Sequence, residues 1–402
     1  MTVVFDRPYE FVPPHRGTRW PSFIQRFRLY DWHLRRNEGV HDYELRNVDV
    51  FGQQVDAGNG LLITPNHCRY ADPLVLGWPA RAIGCHVHAI ASWHLFAKHP
   101  VMTFALQKMG AFSLQREGRD KKSIDTAIQI VADAERPLVI FPEGSTYHTN
   151  DYCKPLLDGV SLIARTASRR AAKQDREVSL LPVGIKYVCM EPAGDWIEHQ
   201  LRHFEQHLGW KADPAGDLVD RTVRLTEAMV ALRESQHGIA PEGDLDARRS
   251  RIMHFLVEAS EDALGLSVSD AADLAARCRA IRTEVNSRFF GDGAQAGDRR
   301  LRRWAIMADD ALELAAYPPG YLDRAVATDT RVVETIQRMQ AWVFGKAQNT
   351  IPLKSIIEFE QPIQVPPEKA PRGQSDPILV ELKRVLDNTL SRLTTEARPI
   401  GR

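Results

Sequence analysis

Between residues 50 and 190, short apolar runs alternate with segments of helical periodicity, and this alternation constrains the fold more than any other feature of the chain. Residues 61–64, 85–89, 138–141 and 179–185 are apolar and bounded by Gly, Pro, Asn or charged residues, the pattern of buried strands. Between them, 100–109, 122–135 and 159–172 repeat apolar residues at helical spacing, and Asp120 or Ser123 is available to cap the second. Strand and helix in alternation predict an α/β architecture, a mixed sheet covered by helices.

The remainder of the 402 residues divides around that unit. Residues 1–50 contain one informative piece, 16–36, with six arginines against the single acid Asp31. Trp20, Phe23, Ile24, Phe27, Tyr30 and Leu34 recur in it at helical spacing, with Pro21 where a first turn tolerates it. An apolar face opposite an arginine-rich one suits a membrane interface, and equally a helix packed on its own protein. Residues 191–350 hold six long charged amphipathic segments with no strand signal between them, which predicts a large all-helical insertion after the 51–190 unit. A strand at 355–360 and a capped helix at 376–393 then return within 351–402.

Composition excludes several classes. The longest charge-free stretch near the first strands, 82–97, is too short to span a bilayer and holds three histidines. Asp6, Arg7, Glu10 and Pro8, Pro13 and Pro14 do not make an export signal. Five cysteines without a C-x-x-C pair fit neither a disulfide framework nor a zinc ribbon, and a cytoplasmic compartment is expected. The net charge of zero argues against nucleic-acid binding, yet residues 61–190 carry 16 basic and 11 acidic side chains, which suits an anionic ligand there.

Two strand ends carry the chemistry. The 61–64 strand runs into Pro65, Asn66 and His67, placing an imidazole where open α/β sheets collect ligands, with Asp72 able to fold back onto the ring. A carboxylate on one ring nitrogen fixes the tautomer and raises the basicity of the other. The 138–141 strand breaks into Pro142, Glu143, Gly144 and Ser145, a turn suited to a polar or anionic substrate. The segment from Gly110 ends in Arg116, a candidate phosphate ligand. His199, His203 and His207 share a helix face, although solvated histidines are the commoner meaning, and no metal is expected. His86, His88, His94 and His99 lack zinc-ligand spacing and are assigned to a groove wall or the core.

In combination these segments resemble the phospholipid/glycerol acyltransferase family. Asn66, His67 and Asp72 match its Asn-His-x4-Asp block, Gly110 and Arg116 its second block, and Phe141, Pro142, Glu143 and Gly144 its third; Pro182, Val183 and Gly184 match the fourth. The resemblance implies that His67 is the general base and Asp72 its partner, with Asn66, Gly110, Arg116, Glu143, Gly144 and Ser145 shaping the substrate site. It implies transfer of a fatty acyl group from acyl-CoA or acyl-ACP, a co-substrate with no further cofactor, to a glycerolipid hydroxyl such as that of lysophosphatidate or glycerol 3-phosphate. A lyso-aminolipid acceptor, a phospholipid donor, and a silent lipid-binding scaffold are the alternatives. The third block often continues Thr-Arg-Ser; here Ser145, Thr146, Tyr147 and His148 follow, and the missing arginine puts the acceptor's phosphate in question. The expected partners are a lipid acceptor, an acyl thioester, for which acyl-carrier protein is one carrier, and an anionic membrane surface. The expected location is the inner face of the membrane, held peripherally through 16–36.

Overall fold

The computed structural model describes residues 3–5, 7–118, 120–146, 148–211, 213, 215–267, 273–369 and 375–400. Eight strands form one sheet: β1 (Val40–Arg46), β2 (Gly60–Pro65), β3 (His88–Ser92), β4 (Ala111–Leu114), β5 (Leu138–Val139), β6 (Val178–Cys189), β7 (Leu353–Phe359) and β8 (Ile363–Gln364). They lie in the order β1-β7-β6-β2-β5-β3-β4, with β8 on β6. From β6 to β4 the strands are parallel, whereas β7 and β8 run antiparallel to β6 and β1 runs parallel to β7. The sheet is therefore mixed, with helices on both faces.

Continuous burial of β2 follows from this two-sided cover. Leu61 and Ile63 point to one face, where they share a core with Leu181, Val183 and Ile185 and with helices Val48–Asp56, Gly194–His207 and Asp329–Phe344. Leu62 points to the other, against Ile128, Ile163 and Leu382 of helices Lys121–Ala132, Gly159–Ala171 and Pro377–Thr394. Strand β7 brings the chain back beside β6 after the helical region, and Arg165 clasps Asp376 at 2.6 Å, tying helix Gly159–Ala171 to the last helix.

The helical region begins its helices with carboxylates. Asp217, Asp244 and Asp273 each accept a backbone N–H in the first turn, worth about 1 kcal/mol apiece. Left-handed Gly238 and Gly265 end the first two. Helices Leu245–Leu264, Leu274–Phe290 and Arg302–Leu314 build a core of their own, which Val3 of the N-terminal segment also joins. Helix Asp329–Phe344 instead packs on the sheet.

The basic segment 16–36 is not one helix. It breaks at Arg28, whose φ of 51° ends helix Arg19–Arg26 and starts the short helix Leu29–His33. Upstream of it, Val12 covers the free edge of β4 by exchanging bonds with Ser113, its carbonyl accepting from the Ser113 N–H at 3.1 Å. Among the described residues no helix is long and apolar enough to cross a membrane.

Candidate active site

Pairing of Ile63 with Val139 sets β2 and β5 side by side, so the loops after them leave the same end of the sheet as neighbours. His67 sits in the first loop. Its Nδ1 lies 2.8 Å from Asp72 Oδ2, its Nε2 lies 2.7 Å from Thr146 Oγ1, and its ring stacks on Phe141 with centroids 4.0 Å apart. Thr146 and Phe141 both belong to the second loop.

Asp72 opens the short helix Asp72–Val75 and is fully buried. A buried carboxylate demands donors, and this one has them: Oδ2 accepts from the Cys68 and Arg69 amides at 2.7 and 2.9 Å, and Oδ1 from the Tyr187 hydroxyl at 2.7 Å. Facing an acceptor already bonded in this way, Nδ1 carries the ring hydrogen and Nε2 is left as the acceptor, so the Thr146 hydroxyl donates to it. A hydroxyl thus already occupies the place from which a general base takes a proton.

Glu143 fixes the distance between the two loops. It is 7 % exposed, and its oxygens accept from the His67 amide at 2.6 Å and the Lys154 amide at 2.9 Å. Burial pushes its carboxyl up to about 7, against the opposing pull of Lys154. Gly144 turns the chain after it at a φ of +71°, where a Cβ would sit 2.3 Å from Leu157 Cδ1. Gly110 has the same kind of role before β4, with a φ of +101° and the Val87 carbonyl 2.6 Å from where a Cβ would be.

Asn66 turns its side chain onto the neighbouring strand. Both ends of its amide are spent on β6, accepting from the Ile185 N–H at 2.7 Å and donating to the Ile185 carbonyl at 3.0 Å. It staples β2 to β6 and so holds the loop that carries His67. Arg116 follows β4 at the same sheet end and donates to Ser145 Oγ at 3.2 Å, bringing those two expected residues together. Tyr147 lies outside the described residues.

Residues 47–186 match the family model for Acyltransferase. This segment belongs to the phospholipid/glycerol acyltransferase family. No curated protein matches the chain. The acyltransferase segment covers β2 to β6 almost entirely, and both loops that meet at His67 lie within it.

Three neighbours of the site come from features the sequence reading did not single out. Tyr187 stands on β6 with its side chain on the same face as Ile185 and supports Asp72. Arg69, inside the first block, donates to Gln337 Oε1 at 2.9 Å and stacks over Tyr187. Arg338, in helix Asp329–Phe344 of the helical region, lines the same cleft as Thr146. The alternation of β6 was a usable signal for Tyr187, since its register with Ile185 is visible in the sequence. Contacts from the helical region left no local signal.

The other histidines fall elsewhere. His88 is fully buried in β3, with ring nitrogens 2.9 Å from the Gly110 carbonyl and 3.3 Å from Glu135. Burial drives His94 down to about 3, so it is neutral at physiological pH. His203 and His207 each pack against the Phe344 ring with centroids 5.0 Å apart.

Proposed function

We propose that the protein moves a fatty acyl group from an acyl thioester, on coenzyme A or acyl-carrier protein, to a hydroxyl of a glycerolipid of the lysophosphatidate or glycerol 3-phosphate type. The observation that carries this reading is the hydroxyl of Thr146 donating to His67 Nε2 while Asp72 holds Nδ1. An acceptor alcohol placed where that hydroxyl lies gives its proton to Nε2 as its oxygen attacks the thioester carbonyl. The C–O bond forms, the C–S bond breaks from the tetrahedral adduct, and the departing thiolate takes the proton back from Nε2. Asp72 stabilises the imidazolium between the two transfers.

A lipid acceptor needs access to a bilayer, and an exposed aromatic patch on helices Arg19–Arg26 and Pro100–Lys108 suits it. Trp20, Phe23, Phe27 and Phe104 are exposed and form one run of rings, with Trp20 and Phe104 centroids 5.2 Å apart and Phe23 and Phe27 4.7 Å apart. Arg26, Arg28 and Arg81 line a concavity next to it. Apolar rings for the acyl boundary beside cations for lipid phosphates support peripheral attachment to an anionic surface on the cytoplasmic side.

The test is incubation with palmitoyl-coenzyme A and glycerol 3-phosphate, lysophosphatidate or a lyso-aminolipid, following thiol release and product mass. The expected result is one acylated product, lost in His67→Ala at unchanged thermal stability. Near wild-type turnover in that variant would falsify the mechanism.

A further inference from the structure

Helix Asp329–Phe344 lies outside residues 47–186, yet it is buried along most of its length. Val332, Val333, Ile336 and Met339 enter the apolar core on one face of the sheet. Glu334 and Gln337 share a helix face and turn instead to the two loops that meet at His67. Gln337 Oε1 accepts from Arg69 of the first loop at 2.9 Å, and Glu334 Oε1 accepts from the Asn150 amide of the second at 3.3 Å and from the Tyr321 hydroxyl. We propose that Glu334 and Gln337 are positioning residues for acyl transfer, which hold the two oxygens of Asp72 where they orient His67. The proposal rests on the acyl-transfer reading for its effect on turnover, and on the hydrogen bonds alone for its effect on the Asp72–His67 pair.

Two paths run from the helix to Asp72, one to each oxygen. The first passes through Arg69, whose guanidinium is held by Gln337 and whose own amide donates to Asp72 Oδ2 at 2.9 Å. That oxygen is the one facing His67 Nδ1. The second passes through Asn150, whose side chain accepts from the Tyr187 N–H at 2.9 Å and donates to the Tyr187 carbonyl at 2.6 Å. The Tyr187 hydroxyl then donates to Asp72 Oδ1 at 2.7 Å. The Arg69 guanidinium lies over the Tyr187 ring, 5.4 Å from its centroid, so the two paths brace each other.

The strand ends explain the second path. β2 pairs with β6 as far as Pro65 opposite Val183, so Ile185 and Tyr187 lie beyond its end. Asn66 answers the backbone of Ile185, and Asn150 that of Tyr187, each with both ends of its amide. Two side chains thus prolong the ladder where the chain leaves the sheet to carry His67. Asn66 directly follows β2 and its own N–H bonds to the Val183 carbonyl at 3.3 Å, whereas Asn150 stands in a loop and takes its main-chain support from Glu334.

Packing alone does not call for these side chains. A leucine fills a similar volume without the cost of desolvating a carboxylate, and burial, with the field of Asp151 next, pushes Glu334 up to about 7. The helix is already fixed to the rest by its apolar face and by Arg331 on Asp151 at 2.8 Å. What Glu334 and Gln337 add is the position of the loops.

The experiment compares full-length variants on palmitoyl-coenzyme A and lysophosphatidate. Gln337→Leu and Glu334→Leu remove the acceptor and are expected to lower kcat roughly tenfold to a hundredfold, with KM for the thioester within about twofold of wild type. Gln337→Glu and Glu334→Gln keep an acceptor oxygen and should recover most of the loss. A second readout needs no turnover: the proton that His67 Nδ1 shares with Asp72 gives a far-downfield proton resonance, identified by its absence from His67→Ala. It should shift or broaden in the leucine variants and return in the conservative ones. Gln206→Leu, exposed on helix Gly194–His207, should change neither readout. Thermal melts accompany every variant, and if Glu334→Leu does not fold, the uncharged exchange Gln337→Leu carries the test. Unchanged kcat in folded Gln337→Leu overturns the proposal, as does a lowered kcat with an unmoved resonance or a change carried by KM for the thioester. A moved resonance in a protein whose wild type transfers no acyl group would leave the hold on Asp72 standing and remove the catalytic reading.

Discussion

At the scale of single residues, the site is a short hydrogen-bonded line from Tyr187 through Asp72 and His67 to Thr146, each link below 3 Å. On the proposed acyl-transfer reading Thr146 stands where either an acceptor hydroxyl or an enzyme nucleophile would, and the two roles separate cleanly. Direct attack predicts that Thr146→Ala keeps turnover within about tenfold and that no acyl-enzyme appears by intact mass. Loss of activity on the scale of His67→Ala, with an acylated wild-type protein, would make Thr146 the nucleophile. Tyr187 acts through Asp72 and touches no substrate, so it is a positioning residue. Removing its hydroxyl in Tyr187→Phe takes one donor from a buried carboxylate, worth about 1.5–3 kcal/mol. The expected outcome is a kcat lower by roughly tenfold or more, with KM unchanged and the acidic limb of the pH–rate profile displaced. An unmoved pH profile would mean that Tyr187 serves packing alone.

At the scale of elements, what the sequence made legible depended on whether the signal was local. Central strands β2 and β6 are apolar on both faces, so their runs stood out, and both motif loops could be placed at strand ends from the residues alone. β1, with His41, Asp42 and Glu44, and the two-residue β8 have half-exposed or minimal sequences that no run or alternation marks. The helices of 191–350 were readable from their charged amphipathic segments, which no strand signal interrupts; the structure adds the Asp caps and left-handed glycines that bound several of them. The segment 16–36 carried a continuous helical pattern, yet the left-handed Arg28 broke it; the apolar periodicity does not encode that dihedral. The break leaves the aromatic run on helix Arg19–Arg26, in contact with Phe104 of helix Pro100–Lys108. Charge and rings then make separable predictions for the surface. Arg26→Glu with Arg28→Glu should release the protein from vesicles containing anionic lipid, at about 1 kcal/mol for each basic residue removed, with a larger effect at low salt. Co-sedimentation that ignores both the substitution and the lipid charge would exclude this patch as the attachment site.

At the scale of the whole molecule, the helical region is joined to the sheet through a buried charge cluster. Lys186 of β6 is fully buried and pairs with Asp151, whose other oxygen accepts from Arg331 at 2.8 Å. Arg331 and Arg338 lie on the same helix, Asp329–Phe344, so the anchor that sets this helix on the sheet also sets the far wall of the cleft. Burial raises the Asp151 carboxyl, but Lys186 and Arg331 overcome that and leave it below its ordinary value. For an acid depressed in the folded state, the contribution to stability is present above the ordinary aspartate pKa and fades as pH falls through the folded value. Asp151→Asn leaves two buried cations without their counter-charge, and the expected loss is about 3–5 kcal/mol at neutral pH. Urea unfolding of that variant should show a weaker dependence on acidification than the wild type. Because helices Leu245–Leu264, Leu274–Phe290 and Arg302–Leu314 keep their own core, the transition should also split into two. If it stays single and unshifted, Asp151 does not couple the two parts.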